Sequence, residues 1–185
     1  LGFKASPVNG LWFNVFGGYL ILNDEFFCNL VDADVYYFTH FLQDKTKTAY
    51  GGAELKYGYK DWFDASLKGT FYSWKTDNEN EELYLVTKPK FELNFYAEAK
   101  VFEGLKVNLG YEYVQRKEYV IEEGNSSRDF GLGNISNLSV GASYTFLKDL
   151  SVFGRVNNLL NKQYYYEYGY PAEKLNVLTG LSLAF

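Results

Sequence analysis

Few residues in this chain have the side chains to act as ligands or catalysts. His40 is the single histidine and Cys28 the single cysteine. A Ser–His pair held by an acid would be the signature of a barrel hydrolase. No spacing sets a serine and a carboxylate beside His40, so no catalytic residue is assigned and the chain is read as a non-enzyme. A lone Cys28 excludes an internal disulfide and a cysteine-cluster metal site, and it reads as structurally inert. The acidic run Asp77-Asn78-Glu79-Asn80-Glu81-Glu82 offers hard oxygens of the kind Ca²⁺ takes. It lacks the ordered spacing and the glycine of a dedicated loop, so it reads, with Asp32 and Asp34, as solvated charge. No metal site and no cofactor are expected.

The densest aromatic patch is Tyr164-Tyr165-Tyr166-Glu167-Tyr168-Gly169-Tyr170-Pro171. A tyrosine has an apolar body and a wet tip, so such a run fits a girdle at a membrane surface. Its π faces would equally stack on a flat sugar or aromatic ligand. The girdle is the preferred reading. Tyr166, Tyr168 and Tyr170 are the ligand contacts under the second, joined by Trp74 and Tyr84 from a neighbouring loop.

The whole composition leans the same way, with 18 Tyr, 16 Phe, 17 Gly and no Met. Soluble cores draw on Leu, Ile and Met rather than Tyr. A net charge of −5 with scattered charges gives no basic stripe, which excludes nucleic acid as a partner. No window approaches the roughly 18 apolar residues of a membrane helix. If the chain crosses a membrane it crosses as strands, whose alternation averages hydropathy to near zero.

That alternation is plain over residues 90–101. Phe91, Leu93, Phe95, Ala97, Ala99 and Val101 interleave there with Lys90, Glu92, Asn94, Tyr96, Glu98 and Lys100. It recurs in 63–71, 105–113, 137–146 and 180–185, and a helix would scatter these faces. Residues 11–22 depart from it, because Trp12, Phe16, Leu20 and Leu22 put apolar groups on both faces, and that strand is expected to be covered on both sides. Short polar turns at 7–10, 60–62, 103–104 and 148–149 alternate with longer loops at about 29–46, 77–88, 122–131 and 167–173. Short periplasmic turns and long outer loops are the rhythm of outer-membrane barrels.

The expected strands are 1–6, 11–28, 47–59, 63–76, 90–102, 105–121, 133–146, 150–165 and 174–185. Residues 1–6 already read as strand rather than as a signal peptide. Single-chain bacterial barrels have even strand numbers, so nine strands with an abrupt start are read as the C-terminal segment, 1–185, of a larger barrel. The charged residues assigned to the interior, among them Glu54, Lys56, Lys68, Glu92, Glu98, Lys106, Glu112 and Arg155, would crowd a narrow dry lumen. They favour a wide, hydrated or plugged one.

The segment Ser151-Val152-Phe153-Gly154-Arg155-Val156-Asn157-Asn158-Leu159-Leu160-Asn161-Lys162-Gln163-Tyr164-Tyr165 resembles the penultimate strand of TonB-dependent outer-membrane receptors, where Asn-Asn-Leu is followed shortly by Tyr. Gly180-Leu181-Ser182-Leu183-Ala184-Phe185 is similar to the family's closing strand, with Phe185 as the terminal aromatic that is presented to the insertion machinery. Gly2-Phe3-Lys4 and Gly52-Ala53-Glu54 resemble two earlier strands, in the family's order. Glu173-Lys174 stands where the family often has Gly-Arg. The resemblance implies an antiparallel transmembrane β-barrel in the outer membrane, contacting its lipid. The receptor's plug domain and N-terminal strands lie outside this chain. It further implies TonB-energised uptake, through the full receptor, of a scarce nutrient such as siderophore-iron, cobalamin or a glycan. Asn157 and Asn158 are then structural amides that bond neighbouring strands. The competing expectation is a self-contained small barrel with an adhesin or structural role.

Overall fold

The computed structural model describes residues 1–32, 37–76, 84–117, 120–123, 126–129, 132–167 and 170–183. Asp34, the acidic run 77–82, Tyr168 and Phe185 lie outside the described residues. The strands are β1 (Gly2–Val8), β2 (Leu11–Asp32), β3 (Tyr37–Tyr59), β4 (Phe63–Thr76), β5 (Pro89–Phe102), β6 (Leu105–Arg116), β7 (Val120–Glu123), β8 (Ser126–Asp129), β9 (Ile135–Leu147), β10 (Leu150–Asn157), β11 (Tyr165–Glu167), β12 (Tyr170–Pro171) and β13 (Asn176–Leu183). Nine of them form one sheet in the order β1-β2-β3-β4-β5-β6-β9-β10-β13, and β7–β8 and β11–β12 are separate hairpins. Every neighbour in the large sheet is antiparallel, and β1 and β13 are its edges.

The expected alternation becomes two continuous faces because the register carries it across strands. Leu55, Leu67, Phe95, Tyr111 and Leu138 lie side by side on β3, β4, β5, β6 and β9. One residue along, Glu54, Lys68, Asn94, Glu112 and Asn137 form the matching row on the other face. The first is called the outer face and the second the inner. On the outer face Phe71, Val101 and Leu181 are 65%, 57% and 71% exposed. An apolar surface so extensive exceeds what a soluble monomer ordinarily exposes.

Tight turns hold the register on one side of the sheet. Gly10 and Gly104 sit at φ 80° and 86°, which a side chain rarely tolerates. A Cβ at Gly104 would also run into the Thr145 carbonyl.

Four expectations are corrected on the loop side. Residues 29–32 and 37–46, expected as loop, extend β2 and β3 to 22 and 23 residues. About 9–11 residues suffice for a strand to span a membrane, so these strands are about twice that length. Their alternation is hidden by an inversion at Asp24, whose φ is 54°. Past it Phe26 and Leu42 are exposed, while Glu25 turns toward Trp74 and the inner face. Second, β6 stops at Arg116 rather than 121, and the β7–β8 hairpin fills the expected loop. Third, β10 stops at Asn157 rather than 165, because Asn158 and Asn161 take φ of 49° and 50°. Fourth, β2 is not covered on both sides, since Leu20 and Ile21 are about half exposed. Its inner rings are capped instead by lysines, with Lys56 5.0 Å from Trp12 and Lys68 5.5 Å from Phe16.

Candidate functional site

Two pieces of chain fold back over the loop end of the inner face. The first is a strap, residues 84–88, leading into β5. Tyr84 and Val86 are fully buried against the sheet, and beneath the loop end Gln43, Thr46 and Thr48 are buried as well. Lys88 Nζ donates to Glu25 Oε1 at 2.7 Å, and the Tyr84 hydroxyl donates to Glu25 Oε2. The Lys88 ammonium also lies 4.5 Å from the Tyr84 ring centroid and 5.6 Å from that of Trp74. Burial works to raise the Glu25 pKa, but the hydrogen bonds from Lys88 and Tyr84 and the Lys88 charge outweigh it and hold the carboxyl below its usual range. Lys88 mirrors this: burial works to lower its pKa, yet its bonds to Glu25 and Tyr84 leave it raised. Burial, then the bond to Glu25, pushes the Tyr84 phenol up.

Beside the strap, Trp74 donates its indole N–H to the Pro89 carbonyl at 2.7 Å, and its ring stacks with Tyr72 at 6.0 Å and 17°. The Tyr72 hydroxyl donates to Glu92 at 2.9 Å. Together with Leu85, Lys88, Lys90 and Lys117 these two rings line a recess of about 270 Å³. Flat aromatic walls with several ammonium groups suit a small planar or anionic group.

The second piece is the arm between β10 and β13. Asn158 is buried and anchors it: Nδ2 donates to the Lys162 and Glu173 carbonyls at 2.7 and 3.1 Å, and Oδ1 accepts from the Lys162 N–H at 3.2 Å. Its own N–H donates to Asn137 Oδ1, and the Leu159 N–H to the Leu138 carbonyl. Asn157 donates to Asn176 Oδ1 across β10 and β13 at 3.0 Å. Asn161 Oδ1 accepts from the Leu175 N–H. Tyr164 is buried with Val114 and Ile135 in a small core. Arg116 donates to the Tyr165 carbonyl and Tyr166 to Glu112 at 3.2 Å, so the arm is tied to β6. Burial, then the Glu112 charge, drives the Tyr166 phenol strongly upward.

The structure therefore sorts the sequence-derived ligand contacts. Trp74 and Tyr84 meet around Lys88, but Tyr84 is an anchor with no exposed surface. Tyr166 sits in a separate cluster, T-shaped against Tyr164 at 5.5 Å. Tyr170 is 73% exposed, and Tyr168 lies outside the described residues. Sequence reasoning missed Glu25, Tyr72 and Lys88. No sequence signal marks Glu25, because only the inversion at Asp24 brings it to the inner face. His40 is exposed and stands opposite Cys28 in the β2–β3 ladder. Among the described residues no group of three metal-ligating side chains gathers.

Elsewhere the inner face is charged and carries ion pairs such as Lys56–Glu54 at 2.9 Å and Lys106–Glu98 at 3.0 Å. The sequence matches no family model and no curated protein. Solved structures do match it. The ferripyoverdine receptor of the outer membrane of Pseudomonas aeruginosa, bound to ferripyoverdine, superposes with a TM-score of 0.69 over 98% of this chain at 15% identity. The fold is that of an outer-membrane receptor barrel. The siderophore receptor of Acinetobacter baumannii gives 0.69 over 100% at 14% identity, and the copper transporter OprC 0.68 over 100% at 11%. The chain spans 26%, 31% and 30% of these three receptor and transporter chains, in that order. At such identities the likeness is one of fold.

Proposed function

We propose that this chain is the C-terminal wall of a TonB-dependent outer-membrane receptor, acting in energised uptake of a scarce nutrient of the siderophore-iron, cobalamin or glycan class. The observation that carries this reading is the match of nearly the entire nine-stranded sheet, in order, to receptor barrels of which it spans under a third. A charged inner face supports it, because a wide hydrated or plugged lumen is where such groups are tolerated. The strap, the Tyr72–Trp74 recess and the exposed Tyr170 line the loop end, where a nutrient would first be met. A plug and further strands, outside these residues, complete the gate, and coupling to TonB runs through them.

The test is uptake by the organism that carries the gene. Deleting the gene should abolish accumulation of one radiolabelled nutrient among ferric siderophores, cobalamin and oligosaccharides. Dissipating the proton gradient should abolish the same accumulation in wild-type cells. If accumulation of all three classes survives the deletion, the receptor reading fails. Trp74→Ala in the full-length protein should weaken binding of that nutrient roughly tenfold or more, as loss of a central aromatic does.

A further inference from the structure

Lys88 belongs to two features at once. It lines the recess, with its ammonium 5.6 Å from the Trp74 ring centroid, and it closes the strap through the 2.7 Å bond to Glu25 Oε1. The bond from the Tyr84 hydroxyl ends on the other oxygen of the same carboxylate. Bonds within the strap, from Thr87 Oγ1 to the Tyr84 carbonyl and from the Lys88 N–H to the Leu85 carbonyl, are local and travel with it. Pro89, where the strap joins β5, is held by the Trp74 indole N–H. Release at Glu25 loosens 84–88 from β2 while its β5 end stays in place.

The floor beneath the strap is poorly matched to being covered. Gln43 is the ladder partner of Glu25, Thr48 that of Trp74 and Thr76 that of Thr46, so these side chains underlie the residues that the strap touches. Gln43 and Thr48 are fully buried, whereas Lys56, farther along the same face of β3, is exposed. Yet Gln43 Oε1, Thr48 Oγ1 and Thr76 Oγ1, all shut away from solvent, have no hydrogen-bond partner among the described residues. Leaving a buried polar group unpaired costs at least as much as an ordinary hydrogen bond gains. Opening the strap returns these groups to water. Burial of Tyr84 and Val86 and the two bonds to Glu25 hold it shut against that cost.

We propose that recess and strap are coupled through Lys88: an aryl anion bound in the recess draws Lys88 away from Glu25 and releases strap 84–88, uncovering Gln43, Thr48 and Thr76. The anion and the Glu25 carboxylate carry the same sign and compete for one ammonium, which fixes the direction of the coupling. Flat ring walls select an aryl anion over inorganic sulfate, and the ammonium groups select it over a neutral ring. The inference rests on the reading of the recess as a nutrient contact and specifies how that contact is regulated.

The full-length protein is purified in mild detergent, and backbone hydrogen exchange over 84–88 is followed by mass spectrometry while benzenesulfonate is titrated in at constant ionic strength. Exchange should rise roughly tenfold and saturate, within the usual range of coupling between two sites. Sulfate and benzyl alcohol at the same concentrations should leave it unmoved. Coupling is reciprocal, so Glu25→Gln, whose strap is already released, should bind benzenesulfonate tighter by the same factor and show no further rise in exchange. A Glu25 that merely braced the recess would instead lose affinity when replaced. If Glu25→Gln does not fold, the titration of wild type decides. Unchanged or slower exchange with benzenesulfonate, an equal response to sulfate or benzyl alcohol, or unchanged or weaker binding by Glu25→Gln overturns the proposal. Uptake lost on gene deletion together with a strap that ignores benzenesulfonate sinks only the coupling, whereas uptake that survives deletion sinks the receptor reading itself.

Discussion

Sixty-three residues separate Glu25 from Lys88, and their ion pair closes the strap over the inner face. The depressed Glu25 pKa means that this contribution to stability is present above the unfolded value of 4.5 and is lost as pH falls through the lower folded value. The raised Lys88 pKa contributes fully below its unfolded value of 10.5 and is lost as pH rises through the higher folded one. Backbone amides of 84–88 should therefore exchange hydrogen faster both in acid below 4.5 and in base above 10.5, after correction for intrinsic rates. Glu25→Gln should produce the same opening at neutral pH, at a local cost of about 2 kcal/mol. A strap whose exchange is unmoved by Glu25→Gln would contradict the latch. Asn158 carries a comparable load, with three side-chain hydrogen bonds from a buried position and a positive φ. Asn158→Ala should cost about 2–4 kcal/mol by urea unfolding in detergent, and Leu159→Ala, exposed on the same motif, much less.

Strands, turns and loops differ in how far they could be read in advance. Alternation over 63–71, 90–101 and 137–146 gave the right strands because each faces oil on one side and charge on the other along its whole length. The Gly104 turn was legible from its residue types, and Gly104→Val should destabilise the β5–β6 hairpin by about 2–3 kcal/mol by the same unfolding measurement, since it meets both a positive φ and the Thr145 carbonyl. The ends of β2 and β3 were not legible. The inversion at Asp24 swaps the two faces there, so Gln43 next to Leu42 on β3 read as loop although the ladder continues past them, and on β2 the expected strand stopped at residue 28, four residues short of Asp32. The arm after β10 escaped for a similar reason. The Asn-Asn-Leu motif could be recognised, but that it ends the strand and folds the chain onto Val114 and Ile135 depends on partners brought from β6 and β9.

At the scale of the molecule, a sheet with β1 and β13 as edges leaves rows of backbone N–H and C=O groups to be satisfied. The 185-residue chain produced alone should pair edge to edge with copies of itself or close on itself with altered register. Sedimentation in detergent, with amide exchange on β1 and β13, checks this. A monodisperse monomer with fast-exchanging, unpaired edges would contradict it. Within the complete barrel proposed above the same edges would find neighbours.

The sequence alone determined the class of the fold, because period-two alternation, an aromatic-rich and Met-free composition and the rhythm of short turns and long loops are all local properties of the chain. It also singled out Asn157, Asn158 and Trp74. Only the tertiary structure decided what those residues do. Tyr84 is buried in the strap, Glu25 and Lys88 pair across it, and Tyr164 joins Val114 and Ile135 in one core. Each of these outcomes depends on register between strands, and register is a relation between distant segments that no single stretch of sequence contains.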